Sequence, residues 1–210
     1  MTIRIAVGMA TGGTGKTTTA GSLALLAAER FGSPETVLVV DTDQQGQIVS
    51  WQHAANQAGR EWPLTLTWLN SQLADELDRQ QRARDLAAIV IDTSNNSFRL
   101  ITDAFAAADV VVVPVQPTTM DLDRMAATRE SIEFAEAKNP AMTWGALISR
   151  YDSRSRDAQD CREALREAGL PVFETQIPAL KRIGHSFGSA DCPDPDLYGA
   201  LWEEILGGAA

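Results

Sequence analysis

The run "VGMATGGTGKTTTA", residues 7–20, holds the most chemically pointed residues of the chain. Gly12, Gly13 and Gly15 surround Thr14, and Lys16, Thr17 and Thr18 follow at once. Glycines let a backbone turn tightly and bring N–H groups close to an anion. A helix opening at Lys16 adds its positive end. In such a loop the lysine reaches the β- and γ-phosphates of a nucleotide, and the first threonine hydroxyl can ligate Mg²⁺. The common pattern carries a glycine five residues before Gly15, where this chain has Ala10. The plain alternative is a glycine-rich turn before a helix. The order strand, loop, helix favours the phosphate reading.

Three aspartates stand where the same chemistry needs them. Asp41 and Asp43 follow the apolar run "VLVV", and Asp92 follows "AAIVI". In an open parallel sheet, ligands sit at the carboxyl ends of the strands. Asp41, Asp43, Asp92 and the Gln116–Pro117 pair therefore belong to the edge that carries Lys16. Asp43 could equally be a turn or N-cap aspartate ahead of "QQGQIVSW".

The elements that must position these residues alternate. Strands are expected at 3–9, 36–41, 64–69, 86–92, 110–115, 144–149 and 171–175. Helical patterns fall at 16–30, 46–57, 73–84, 98–107, 122–137 and 158–168, and "LYGALWEEIL" forms a last one. The 64–69 run alternates in polarity and is placed near a sheet edge. Continuous apolar strands between helices imply an α/β fold, a mostly parallel twisted sheet of about seven strands with helices on both faces. No repeat, linker or low-complexity tract divides residues 1–210, so one domain is expected.

The 210 residues can bury a sizeable core, and 44% hydrophobic with 22% charged residues is ordinary for a globular chain. No apolar run is long enough to cross a bilayer, and the N-terminus reads as a strand rather than a signal peptide. Cys161 and Cys192 have no metal-ligand spacing, which suits a reducing cytoplasm. The net charge of −10 repels DNA and anionic lipid unless a local basic patch overrides it. His53 and His185 stand alone and read as surface or packing residues. The five tryptophans (Trp51, Trp62, Trp68, Trp144 and Trp202) read as core or interface rather than base-stacking platforms.

Taken together, these motifs resemble the ParA/MinD group of deviant-Walker ATPases, and within it the short plasmid-partition ParA type. "TGGTGKTTTAGSLA" is similar to that family's "KGGVGKTT" loop. "VLVVDTDQQGQIVSW" is similar to its "DTDPQG…W" segment, with Gln44 in place of proline. "AAIVIDTSNN" resembles its "IDTPPG" strand end, with Ser94, Asn95 and Asn96 replacing Pro-Pro-Gly. "AADVVVVPVQPTTMDL", "ALISRYDSRS" and "FETQIPALKRI" resemble later segments. The resemblance implies a P-loop NTPase fold of the deviant Walker A kind, with ATP and Mg²⁺ as cofactors. It implies that Gly12, Gly13, Thr14, Gly15, Lys16, Thr17 and Thr18 hold the nucleotide. Thr17 and Asp92 would serve the metal, Asp92 through water, and Asp41 would be a structural or magnesium-side carboxylate. Lys16 and Asp43 would be catalytic, Asp43 by orienting or activating water.

The same resemblance implies an ATP-dependent homodimer that binds DNA without sequence preference, in the cytoplasm on the nucleoid. A centromere-binding or cargo-adaptor protein would stimulate slow hydrolysis, and the cargo would be a plasmid, a chromosome or a protein body. Two other readings stay open: a nucleotide-gated regulatory module with little hydrolysis, and an ATP-dependent small-molecule synthetase of the same fold. The short acidic tail "LWEEILGGAA" argues against a membrane anchor. The candidate DNA residues are Arg154, Arg156, Arg162 and Arg166, a stripe that could equally be a solvated helix face with ion pairs.

One departure matters. The family's additional lysine would stand at residue 11, and this chain has Thr11. Either hydrolysis is intrinsically slow or another cation takes the role. Lys138 ends a helix that runs away from the nucleotide edge. The candidates are Lys181, which follows the strand at 171–175 and "QIP", with Arg150 and Arg124 in reserve.

Overall fold

The runs at 37–41, 88–92 and 110–115 are apolar but for the aspartates that end the first two, and runs of that kind are stable only when covered on both faces. In the computed structural model, which describes residues 2–94 and 97–208 and all their side chains but 119–123, that is what the chain builds. The strands are β1 (Ile3–Val7), β2 (Val37–Asp41), β3 (Leu64–Thr67), β4 (Ala88–Asp92), β5 (Val110–Val115), β6 (Thr143–Tyr151) and β7 (Ile177–Pro178). They form one seven-stranded sheet in the order β3-β2-β4-β1-β5-β6-β7, and every pairing is parallel. The expected edge strand at 64–69 does lie at the edge.

The helices are α1 (Lys16–Phe31), α2 (Gln47–Gln57), α3 (Leu73–Ala83), α4 (Phe98–Ala106), α5 (Thr119–Lys138), α6 (Asp157–Glu167), α7 (Lys181–Gly184) and α8 (Pro195–Gly207). The strand period of two divides the core between the faces. Along β4, Ile89 and Ile91 join one layer, with Leu77, Phe105 and Ile132 from the helices. Ala88 and Val90 join the other, with Leu23, Trp51 and Trp202. Leu23 is fully buried, so truncating it should cost about 2–5 kcal/mol.

Two expectations are corrected. Residues 171–175 are not a strand. Val172 makes a single bridge to Ala146, and the backbone N–H groups of Glu174 and Thr175 turn aside to the Glu204 carboxylate, at 2.6 and 2.8 Å. The seventh strand is instead the two-residue β7. The short helix α7 has too few residues to leave a periodic signal in the sequence. Asn95 and Asn96, which stand in the segment resembling "IDTPPG", lie outside the described residues.

The strand order sets the site. After β1 the chain crosses over the slot of β4 to β2, and after β4 it crosses back over β1 to β5. Such a reversal opens a crevice at the carboxyl ends of the central strands. The 8–15 loop, Asp92 and Gln116 all leave the sheet there.

Candidate nucleotide site

The loop begins with a close approach. Gly8 continues the β1 ladder, its N–H donating to the Val112 carbonyl at 3.0 Å. A Cβ at Gly8 would collide with the Phe105 ring and the Thr93 hydroxyl, so only glycine fits. Ala10 N–H is held by the buried Thr128 hydroxyl of α5 at 3.1 Å. Thr11 and Thr14 are buried, while Gly12 and Gly13 face solvent. Gly13 and Gly15 take left-handed backbones, φ 82° and 93°, which a residue with a Cβ adopts at a cost. Gly15 caps α1 with no side-chain acceptor, which leaves the first-turn N–H groups to an outside anion.

Lys16 is buried, and its Nζ donates to the Thr11 carbonyl, closing the loop on itself. Three other side chains hold the loop's carbonyls from the far side. Ser149 Oγ donates to Thr14 O at 2.8 Å. Arg150 Nη1 and Gln116 Nε2 both donate to Gly13 O at 2.6 Å.

Asp41 and Asp92 are opposite one another in the β2–β4 register. Asp41 Oδ1 accepts Asp43 N–H at 2.9 Å and its Oδ2 accepts Ile48 N–H at 3.1 Å, so it anchors the turn into α2. Asp92 has no such backbone partners for its side chain. Its Oδ1 is buried and accepts no hydrogen bond among the described residues. Burial pushes its carboxyl up to about 7, against a hydrogen bond from the Thr17 hydroxyl; the Asp41 charge pushes the same way and Lys16 opposes it. Thr42 ties the two strand ends together, its N–H and hydroxyl both donating to Asp92 O at 3.0 Å. Asp43 is half-buried and its Oδ1 accepts Gln45 N–H at 2.9 Å, a turn geometry beside the crevice.

These residues fit a magnesium ion. Mg²⁺ keeps much of its water and takes one or two carboxylates plus phosphate oxygens rather than a full protein cage. An unpartnered buried carboxylate oxygen beside the Thr17 hydroxyl suits that, and no group of three or more His, Cys, Asp or Glu converges among the described residues. The chemistry that Mg²⁺ supplies when bound is neutralisation of phosphate charge.

A cleft of about 330 Å³ opens beside Gly15, between β6 and the segment that follows β7, lined by Ser149, Arg150, Pro178, Leu180, Lys181 and Tyr198. Lys181 and Arg150 thus border the site. Arg124 is exposed on α5, one turn before Thr128, and Lys138 is paired with Asp103 at 3.0 Å. A second cleft of about 420 Å³ lies on the Thr17 side, walled by Gln47, Trp51 and Phe187. Trp51, Trp62, Trp144 and Trp202 are buried, Trp68 packs at the core margin, and both histidines are exposed, all as the sequence suggests.

The arginine stripe is less free than its sequence implies. Arg162 Nη1 pairs with Glu174 at 2.6 Å, and Arg166 pairs with the same carboxylate. Arg154 pairs with Asp152 at 3.2 Å, and Arg156 is exposed. Sequence reasoning did not single out Ser149 and Thr42, whose partners are carbonyls far along the chain.

The model of the CobQ/CobB/MinD/ParA nucleotide binding domain matches residues 5–191. The chain belongs to this family. It is 32% identical over 177 residues to the maintenance of carboxysome distribution protein A of Gloeobacter kilaueensis, covering 81% of this chain and 74% of that protein. It is 31% identical to the chromosome-partitioning ATPase Soj of Thermus thermophilus, covering 97% of this chain and 95% of that one. Among solved structures, apo McdA of Cyanothece superposes with a TM-score of 0.75 at 17% identity, over 99% of both chains. Cobyrinic acid a,c-diamide synthase of Mycobacterium smegmatis, with ADP and magnesium, gives 0.75 at 23% identity, over 99% of this chain and 97% of that one. The nucleotide-binding fold of the MinD/ParA family is thereby shown for this chain. Among the described residues no helix is long and apolar enough to cross a membrane.

Proposed function

We propose that the chain is a Mg·ATP-dependent positioning ATPase. It dimerises on ATP, binds DNA without sequence preference on the nucleoid, and moves a cargo through an adaptor protein that stimulates hydrolysis. The observation that carries the reading is the Asp92 Oδ1, unpartnered among the described residues, beside the Thr17 hydroxyl at the foot of a loop that leads into α1 with no side-chain cap. Lys16 leaves the Thr11 carbonyl for the phosphates, and Thr17 and Asp92 serve the metal and its water. Asp43, at the crevice, orients or activates the attacking water. Phosphoryl transfer depends mainly on positioning and charge, so this set suffices.

DNA contact is proposed for Arg154, Arg156, Arg162 and Arg166. The Arg154–Asp152 and Arg166–Glu174 pairs are exposed and such pairs are worth only about 0–1 kcal/mol, so phosphates can compete for those guanidinium groups, while Arg162 is only 13% exposed and also donates to the Glu174 carbonyl. The exposed Gly12–Gly13 turn leaves the loop accessible to a second copy.

The test is ATP binding and turnover with and without DNA, in wild type and Lys16→Ala. Loss of both in the variant is expected, and normal affinity and turnover would refute the site. ATP-dependent DNA binding should fall steeply with salt. Replacing Arg162 and Arg166 together should weaken binding to all sequences about equally. No binding at low salt with ATP would remove DNA from the mechanism.

A further inference from the structure

Two consecutive residues of β6 reach the same loop, which a regular strand forbids. Side chains alternate faces along a strand. Yet Ser149 donates to the Thr14 carbonyl and Arg150 to the Gly13 carbonyl. The cause is local. Arg150 has a left-handed backbone, φ 55°, and the pairing with β7 slips between Ser149 and Tyr151. Such a bulge re-aims a side chain, here toward the loop. The aliphatic carbons of Arg150 lie across Gly15, 3.6 Å from where a Cβ would stand. None of the ion pairs among the described residues uses Arg150. A left-handed arginine is unfavourable where glycine would be at ease, so the side chain compensates for the backbone.

We infer that Arg150 is a positioning residue of the nucleotide site, a latch that acts within one chain by holding the Gly13 carbonyl. The inference rests on reading the 8–15 loop as the phosphate site. In a planar trans peptide the C=O and the following N–H point in opposite directions. Holding the carbonyls of Gly13 and Thr14 toward β6 therefore turns the N–H groups of Thr14 and Gly15 away from it, into the cradle. Gln116, the residue just after β5, secures the first of these carbonyls. The latch touches loop backbone rather than phosphate. It therefore treats ADP and ATP alike, unlike a cation recruited to the γ-phosphate.

The experiment is Arg150→Gly, which removes the side chain while suiting the left-handed backbone, with Arg150→Lys as the conservative variant. Amide hydrogen exchange of residues 12–16 is read in the nucleotide-free protein, followed by affinity for ADP and for a non-hydrolysable ATP analogue. Expected for Arg150→Gly are exchange faster by about tenfold, ADP and analogue affinities both weaker by about tenfold, and a melting temperature equal or higher. Arg150→Lys should recover most of the affinity. Unchanged exchange and affinity would overturn the latch, and so would lost stability with affinity kept. An analogue loss tenfold larger than the ADP loss would overturn it in favour of a direct phosphate cation. If wild type binds neither nucleotide, the phosphate-site reading fails, while the exchange measurement still judges the latch.

Discussion

The ends of β2 and β4 lie side by side, Asp41 opposite Asp92, and the fold treats the two carboxylates in opposite ways. Asp41 has its oxygens taken by the N–H groups that open α2. Asp92 is as deeply buried and keeps one oxygen without a partner among the described residues. A buried carboxylate with backbone donors is part of the architecture. One without them is a cost the fold carries until something else binds it. The contrast separates a residue that builds the turn into α2 from one whose proposed work needs a free oxygen.

The sharpest way to break this contrast is Asp92→Ala. Turnover should fall by about a thousandfold or more, as expected when a metal-side carboxylate is lost, while nucleotide-free stability stays level or rises. A destabilised Asp92→Ala protein with normal turnover would put Asp92 in the class of Asp41.

Next is pH. The Asp92 carboxyl titrates at about 7 in the fold against 3.8 for its ordinary value. The native state therefore holds this proton more tightly than the unfolded chain. Below about pH 4 both forms are protonated and nothing is lost. Between about pH 4 and 7 the unfolded chain ionises first, so stability falls as pH rises, by about 4 kcal/mol in all, and levels off above 7. Denaturant melts of wild type and Asp92→Asn across that window should differ by this slope. Saturating Mg·ADP should flatten the wild-type slope, because a cation at Asp92 favours its ionised form.

Asp41→Ala should cost about 2–4 kcal/mol of stability, because it strands buried N–H groups and loosens the start of α2. Its effect on turnover at a temperature where it is folded should be smaller than that of Asp92→Ala. If turnover collapses while the melt is unchanged, Asp41 is a site residue after all.

The smallest of these effects concerns Asp43, which lies between the two behaviours. Asp43→Ala should keep ATP affinity and lower turnover by about a hundredfold, accumulating an ATP-bound dimer. Turnover at the wild-type rate would leave it as the turn residue that its bond to Gln45 also allows.

Much of this was legible in the chain. Fully buried strands such as β4 and β5 carry no polar residue until their ends, so their position and depth follow from composition alone. The phosphate loop was legible because glycine and lysine at that spacing have few other uses. Residues 171–175 misled because "PVF" is apolar, while the acceptor that diverts the next two N–H groups, Glu204, sits on α8. The arginine stripe misled in degree. Glu174, which joins Arg162 and Arg166, lies outside their helix and so outside any helical wheel.

By itself, then, the sequence determined the alternation of strands and helices, the two-faced burial, the loop and the edge where Asp41, Asp92 and Lys16 meet. Those follow from short-range patterns, because apolar runs, glycines and caps act on neighbouring residues. Only the tertiary structure decided which aspartate is satisfied and where Arg150 points. The first depends on the backbone turn into α2. The second depends on a register slip against β7, a strand of two residues that carries no pattern of its own. Hydrogen bonds between groups far apart in the chain are made by packing, and nothing in the local order of residues specifies their partners.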